Sequence, residues 1–173
     1  MSPKVRGLPI EVRFLAAPKA YRGKLLSGES ARGREVHAGC FLRRRLIVLD
    51  AALRKQPKEL ARILIHELFH FAWLRLGNPR RRAFEALVAG EIRRRVCGEL
   101  GWSAERMKAA VSPADHARRS RRWREYVCES FCDSGAWLLT GAGRSGEFTL
   151  PAAARRARRA WFAQSRLIYE ISV

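Results

Sequence analysis

His66-Glu67-Leu68-Phe69-His70 places two imidazoles and a carboxylate within five residues of one another. On a helix, positions four apart lie about 40° from each other around the axis and one turn along it, so both imidazoles reach a common point. Glu67 falls about 100° from His66, near enough to touch a water at that point without taking a ligand position itself. Zinc hydrolysis requires that division of labour: neutral imidazoles about 2.0–2.1 Å from the ion, a water whose pKa falls toward about 7, and a carboxylate to take its proton. The neighbours argue against simple packing. Ile63, Leu64, Ile65, Leu68 and Phe69 make the segment apolar, and three polar side chains buried there without partners would lose their solvation uncompensated. A cation removes that cost.

Two imidazoles leave a zinc site short of a ligand. No histidine follows at the metzincin spacing H-E-x-x-H-x-x-G-x-x-H; Gly77 is a partial echo and the next histidine is His116. The third ligand is then expected to be a carboxylate, with Glu85, Glu91, Glu125, Glu129 and Asp133 as candidates. Glu125, Glu129 and Asp133 stand at i, i+4 and i+8, among small and apolar residues that include Cys128, Cys132 and Ala136. Like charges stacked on one helix face repel, so a cation should face the row, either zinc with its imidazoles or arginine. Cys128 and Cys132 have no second Cys/His pair nearby, and they read as small core residues rather than a structural zinc clip. His37, His116, Tyr126 and Tyr169 are single residues of types that stabilise an oxyanion, with nothing in their spacing to select one.

With His66-Glu67-Leu68-Phe69-His70 and Glu129-Ser130-Phe131-Cys132-Asp133 on two helices, the sequence resembles the gluzincins, zinc peptidases whose third ligand is a glutamate on a later helix. It looks most like the compact minigluzincin and ImmA-like members. There a glutamate, a small residue and then Asn or Asp precede a small-apolar Leu-Leu stretch, places filled here by Glu129, Cys132, Asp133 and Ala136-Trp137-Leu138-Leu139. The resemblance implies a zincin-like fold, a Zn2+ cofactor held by His66, His70 and Glu129, Glu67 as general base, and Asp133 as the acceptor that orients a metal-bound imidazole. Glu91, set among arginines, competes for the ligand position because its distance from His70 is closer to that of thermolysin-type enzymes, and Glu125 is a further alternative. The resemblance also makes the apolar strand at 46–49 the expected edge for substrate backbone.

The elements needed to hold these residues are legible in outline. Residues 10–15, 35–41 and 46–49 read as strands, separated by turns at Gly23, Gly28 and Gly33. Pro57 and Glu59 open a helix expected to run over 57–76, and Gly77 can adopt the left-handed cap that ends it. Asn78-Pro79 starts a second helix over 79–100, and 104–110 forms a short one. Ser112, Pro113 and Asp115 suit the cap, first and third positions of a long helix reaching 139. Gly141, Gly143 and Gly146 make a loop before a last helix over 151–171. With no internal repeat or linker, this predicts a single domain over 1–173, α+β in class: a small antiparallel or mixed N-terminal sheet followed by a mainly helical active-site and C-terminal region.

The 173 residues suffice for a core of their own, and 47% apolar residues exclude wholesale disorder. The charge balance is extreme: 35 Lys+Arg against 16 Asp+Glu leaves +19. Such a field attracts nucleic acid, acidic membranes or acidic proteins, although runs such as Arg80-Arg81-Arg82 and Arg93-Arg94-Arg95 recur at helical positions and read first as solvated helix faces. Two functional readings follow. One is a zinc metallopeptidase acting on protein or peptide; the other is a basic nucleic-acid-binding protein whose H-E-x-x-H is structural or degenerate. Residues 1–6 lead into no signal-like apolar core, no apolar run spans a bilayer, and the four cysteines form no C-x-x-C pair, so the expected setting is cytoplasmic with reduced thiols.

Overall fold

The computed structural model describes residues 4–22, 24–27, 32–141 and 146–173. Expectations placed on Gly23, Gly28, Gly143 and residues 1–3 lie outside the described residues. The chain is α+β, with short strands first and helices after. In order come β1 (Lys4–Arg6), β2 (Glu11–Leu15), β3 (Lys19–Tyr21), β4 (Lys24–Leu26), β5 (Arg34–Glu35), β6 (Ala38–Phe41) and β7 (Leu46–Asp50). The helices are α1 (Pro57–Arg75), α2 (Gly77–Arg93), α3 (Trp102–Ala110), α4 (Pro113–Ala117), α5 (Arg121–Thr140) and α6 (Ala152–Gln164), and β8 (Glu170–Ser172) follows. Among the described residues no helix is long and apolar enough to cross a membrane.

Among the described residues the strands form three small sheets. β7 is central in the order β2-β7-β6, parallel to β2 with Val12 opposite Ile47 and antiparallel to β6 with Cys40 opposite Ile47. Its residues Leu46, Ile47, Val48 and Leu49 are all buried, which explains a continuous apolar run where a half-exposed strand would alternate. The strand at 46–49, expected to offer an edge, is therefore covered on both sides, and the edges of this sheet are β2 and β6. The stretch 35–41, expected as one strand, divides: β5 joins β3 and β4 in an antiparallel sheet, while β6 joins β7. β1 pairs in parallel with β8, so the last strand replaces the final turns of the helix expected to reach 171.

Helix boundaries follow local chemistry. Pro57 sits in the first turn of α1, and Gly77 has the left-handed φ of 75° where α1 gives way to α2. The helix expected over 112–139 is two helices. Ser112 and Asp115 form a reciprocal capping box for α4, but the chain then turns through Arg119 at φ 47°, and Ser120 caps α5 by accepting from the Trp123 N–H at 3.2 Å. Each such cap is worth about 1 kcal/mol. α2 likewise stops at Arg93, and the backbone passes through Arg95 and Gly98 with positive φ. Glu99 and Leu100 are thereby turned into the interior, where both are buried.

α1 and α5 pack side by side through an aromatic core. Phe69 meets Phe131 edge-on at 5.4 Å between centroids, and Phe131 stacks on Phe162 of α6 at 5.2 Å. Gly135 permits this approach, since a Cβ there would stand 2.6 Å from the Phe69 ring. A glycine inside a helix costs about 0.5–1 kcal/mol relative to alanine. Here it lets α5 lie close enough for its acidic face to reach the histidines of α1.

Candidate metal centre

His66 and His70 project from one face of α1 with ring centroids 5.0 Å apart. Facing them on α5 are Cys128, Glu129 and Asp133, and the helices run antiparallel here: His66 meets Asp133 while His70, a turn later, meets Cys128. His66 Nδ1 lies 2.8 Å from Asp133 Oδ1. A carboxylate only accepts, so Nδ1–H donates and a neutral His66 ring carries its lone pair on Nε2. His70 Nδ1 lies 3.6 Å from the Cys128 sulfur.

The opposite nitrogens of both rings converge on one carboxylate. His66 Nε2 is 3.6 Å from Glu129 Oε2, and His70 Nε2 is 3.6 Å from Glu129 Oε1. These separations exceed an N–H···O bond, at about 2.7–3.2 Å. They approximate the spacing of two ligands about a tetrahedral zinc, about 3.4 Å for bonds near 2.05 Å. Imidazole lone pairs and carboxylate oxygens aimed at a common point repel unless positive charge lies between them. The titration of the groups expresses that demand. Burial disfavours the His66 cation, yet Asp133 and Glu129 outweigh it and hold the ring well above its ordinary value. Burial likewise opposes His70 protonation and is outweighed by Cys128 and Glu129. Glu129 is held low despite its burial, by the histidines and Ser103.

Glu67 is nearly buried, at 8% exposure, and lines the same cleft. Burial raises its carboxyl above the ordinary range although both histidines pull the other way. The cleft, of about 700 Å3, lies between β6 on one side and α3 on the other, with Gly39, Cys40, Trp102, Ser103 and Arg106 among its walls. His37 also lines it.

The other carboxylates considered for the third ligand lie elsewhere. Glu91 is fully buried against Arg158. Glu85 binds Arg119 at 2.7 Å and accepts from Trp123 Nε1, and Glu125 is half exposed beside Arg121. Tyr126 donates to Glu99 at 2.6 Å inside the core, His116 packs on Trp123, and Tyr169 is exposed at another cleft.

Two contributors escape sequence reasoning. Cys128, expected as a small core residue, touches His70; its position immediately before Glu129, on the face that meets α1, is the signal that points to it. Gly101 lies against Asp133, where a Cβ would stand 2.3 Å from Oδ2. That oxygen is buried and has no hydrogen-bond partner among the described residues. A second donor set also exists: His66, His70 and Cys132 each offer one ligand atom, all within 4.8 Å of one another. Cys132 is fully buried, and burial beside Cys128 drives its thiol well above the ordinary value. All four cysteines are free. Comparison with models of protein families, with curated proteins and with solved structures finds no match for the chain.

Proposed function

We propose that this protein is a zinc-dependent metallopeptidase in which His66, His70 and Glu129 hold the metal and Glu67 is the general base. The observation that carries the reading is the convergence of two Nε2 atoms on the two oxygens of Glu129, each at 3.6 Å, beside a carboxylate that opens to a cleft. The donor set is two imidazoles and one carboxylate, and it suits zinc in an open, catalytic site. A zinc ion bound there would supply Lewis acidity toward a carbonyl and a water acidic enough to yield its proton near neutrality.

The chain's own residues supply the rest. Asp133 fixes the tautomer and orientation of His66, and Cys128 abuts the corresponding nitrogen of His70. Glu67, with a carboxyl raised by burial, sits closer to neutrality than an exposed glutamate and so is better matched to taking and returning a proton at working pH. β6 has β7 on one side, and among the described residues no strand pairs with its other side. An extended peptide added there would gain main-chain hydrogen bonds beside Glu67 and the histidines.

Metal analysis with hydrolysis of a broad peptide mixture tests the reading. One zinc per chain and cleavage are expected from the native protein, and both should be lost in Glu129→Ala. A metal retained in Glu129→Ala but lost in Cys132→Ala would instead assign His66, His70 and Cys132 as a closed structural site. Asp133→Asn should lower zinc affinity by about 10–100-fold. Gly101→Ala, which drives a methyl into Asp133, should reproduce that loss; unchanged affinity in both variants would remove Asp133 from the site.

A further inference from the structure

We infer that single-stranded nucleic acid binds in the basic cleft formed by the end of α1, the start of α2 and the 165–172 segment. The cleft is separate from the candidate metal centre, shares no wall with it, and has a volume of about 580 Å3. Lys4, Arg75, Arg80 and Arg166 stand around it, all exposed. None of these four makes an ion pair among the described residues. The carboxylate in the lining, Glu170, is occupied by Arg6 at 2.9 Å. Some arginines elsewhere on the surface are matched, as Arg119 is with Glu85 and Arg121 with Glu125. Four unmatched cations around one concavity therefore mark a polyanion surface in a chain of net charge +19.

The shape and the remaining residues select the kind of polyanion. Tyr169, 52% exposed, stands in the wall, while Ala72, Leu76 and Leu167 are buried beneath. A phosphate backbone on the cations would place a base against the tyrosine face and this apolar floor. Cations that track a backbone beside an aromatic platform are how single strands are held without reading sequence. A duplex keeps its bases stacked inside and offers none to the tyrosine or the apolar floor. A lipid surface is flat and would leave the concavity unfilled.

Fluorescence anisotropy of the full chain with a labelled oligothymidylate of about 20 nucleotides tests this without reference to metal or hydrolysis, so its outcome is independent of the peptidase reading. Binding should weaken linearly in log–log terms between about 50 and 200 mM salt. Arg75→Ala/Arg80→Ala/Arg166→Ala should weaken it at least roughly ten-fold and flatten the salt slope by about 0.7 for each phosphate no longer neutralised. A control of equal charge outside the cleft, Arg43→Ala/Arg93→Ala/Arg156→Ala, should stay within about three-fold of native. Tyr169→Ala should cost about ten-fold at unchanged salt slope, with Tyr169→Phe retaining affinity. Equal losses in the two triple variants, native affinity in Tyr169→Ala, or tighter binding to a duplex or to anionic phosphatidylserine vesicles would overturn the inference.

Discussion

Glu67→Gln is expected to leave zinc content and affinity near native while cutting the peptide hydrolysis rate by about 10^2–10^4-fold, the usual contribution of a positioned general base. The substitution keeps the volume of a side chain that is almost completely buried and removes the atom that accepts a proton. It should not cost stability. Burial raises the Glu67 carboxyl above its unfolded value, so its contribution to folding is present below that unfolded value and disappears as pH rises through the folded one. Ionising that buried carboxyl costs free energy that a neutral amide does not incur, so Glu67→Gln should melt at the same temperature or higher. A raised carboxyl also predicts an acidic limb of kcat/KM displaced upward from the ordinary carboxylate range. Thermal unfolding and a pH–rate profile check both points. Native hydrolysis in Glu67→Gln would end the assignment of Glu67 as base, and loss of zinc from it would make Glu67 a ligand.

How far the candidate site is legible in sequence follows from which interactions are local. His66, Glu67 and His70 share two helical turns, so their relation is set by helix geometry alone. The acidic row on α5 is visible for the same reason, and like-charge repulsion points to a facing cation. The choice among Glu85, Glu91, Glu125 and Glu129 is not visible in that way, because each depends on a partner on another turn or another element: Arg119, Arg158, Arg121 and the two histidines. The central place of β7 has a local trace in its unbroken apolar run, but the pairing of β1 with β8 joins residues more than 160 positions apart and leaves none. The break at 118–120 is hidden by helix-favouring arginines on both sides of Ser120, and only the cap geometry separates α4 from α5. Glu99 is likewise hidden, since sequence places it on the last turn of a helix that in fact ends at Arg93.

Arg158→Ala is expected to be the most destabilising single change in the molecule, by about 3–5 kcal/mol, because it strips the partner from buried carboxylates. Arg158 is fully buried on α6 and holds Glu91 at 2.6 and 3.1 Å and Glu99 at 2.7 and 2.9 Å, with Ser134 Oγ at 3.1 Å. Tyr126 and Ser130 also donate to Glu99, and Lys108 lies 3.6 Å away. Arg158 serves two carboxylates at once through its fork, so Arg158→Lys, which keeps the charge and loses the bidentate geometry, should fall between native and Arg158→Ala. The pH dependence has a definite sign. In the native protein burial would raise Glu99, but Arg158 outweighs it and holds the carboxyl below its ordinary value. That stabilisation is present above the unfolded value of about 4.3 and is lost as pH falls through the lowered one. Without Arg158 the burial effect is left to dominate, the carboxyl rises, and acidification then relieves the variant instead of harming it. The stability gap between native and Arg158→Ala should therefore shrink from pH 7 toward pH 4, measured by denaturant titration at each pH; a gap that widens in acid would show that Glu99 is not the group left uncompensated. The same network anchors the backbone at Glu99, two residues before the Gly101 that lies against Asp133. Arg158→Lys, if folded, should thus lose zinc affinity as well as stability, although Arg158 touches neither histidine.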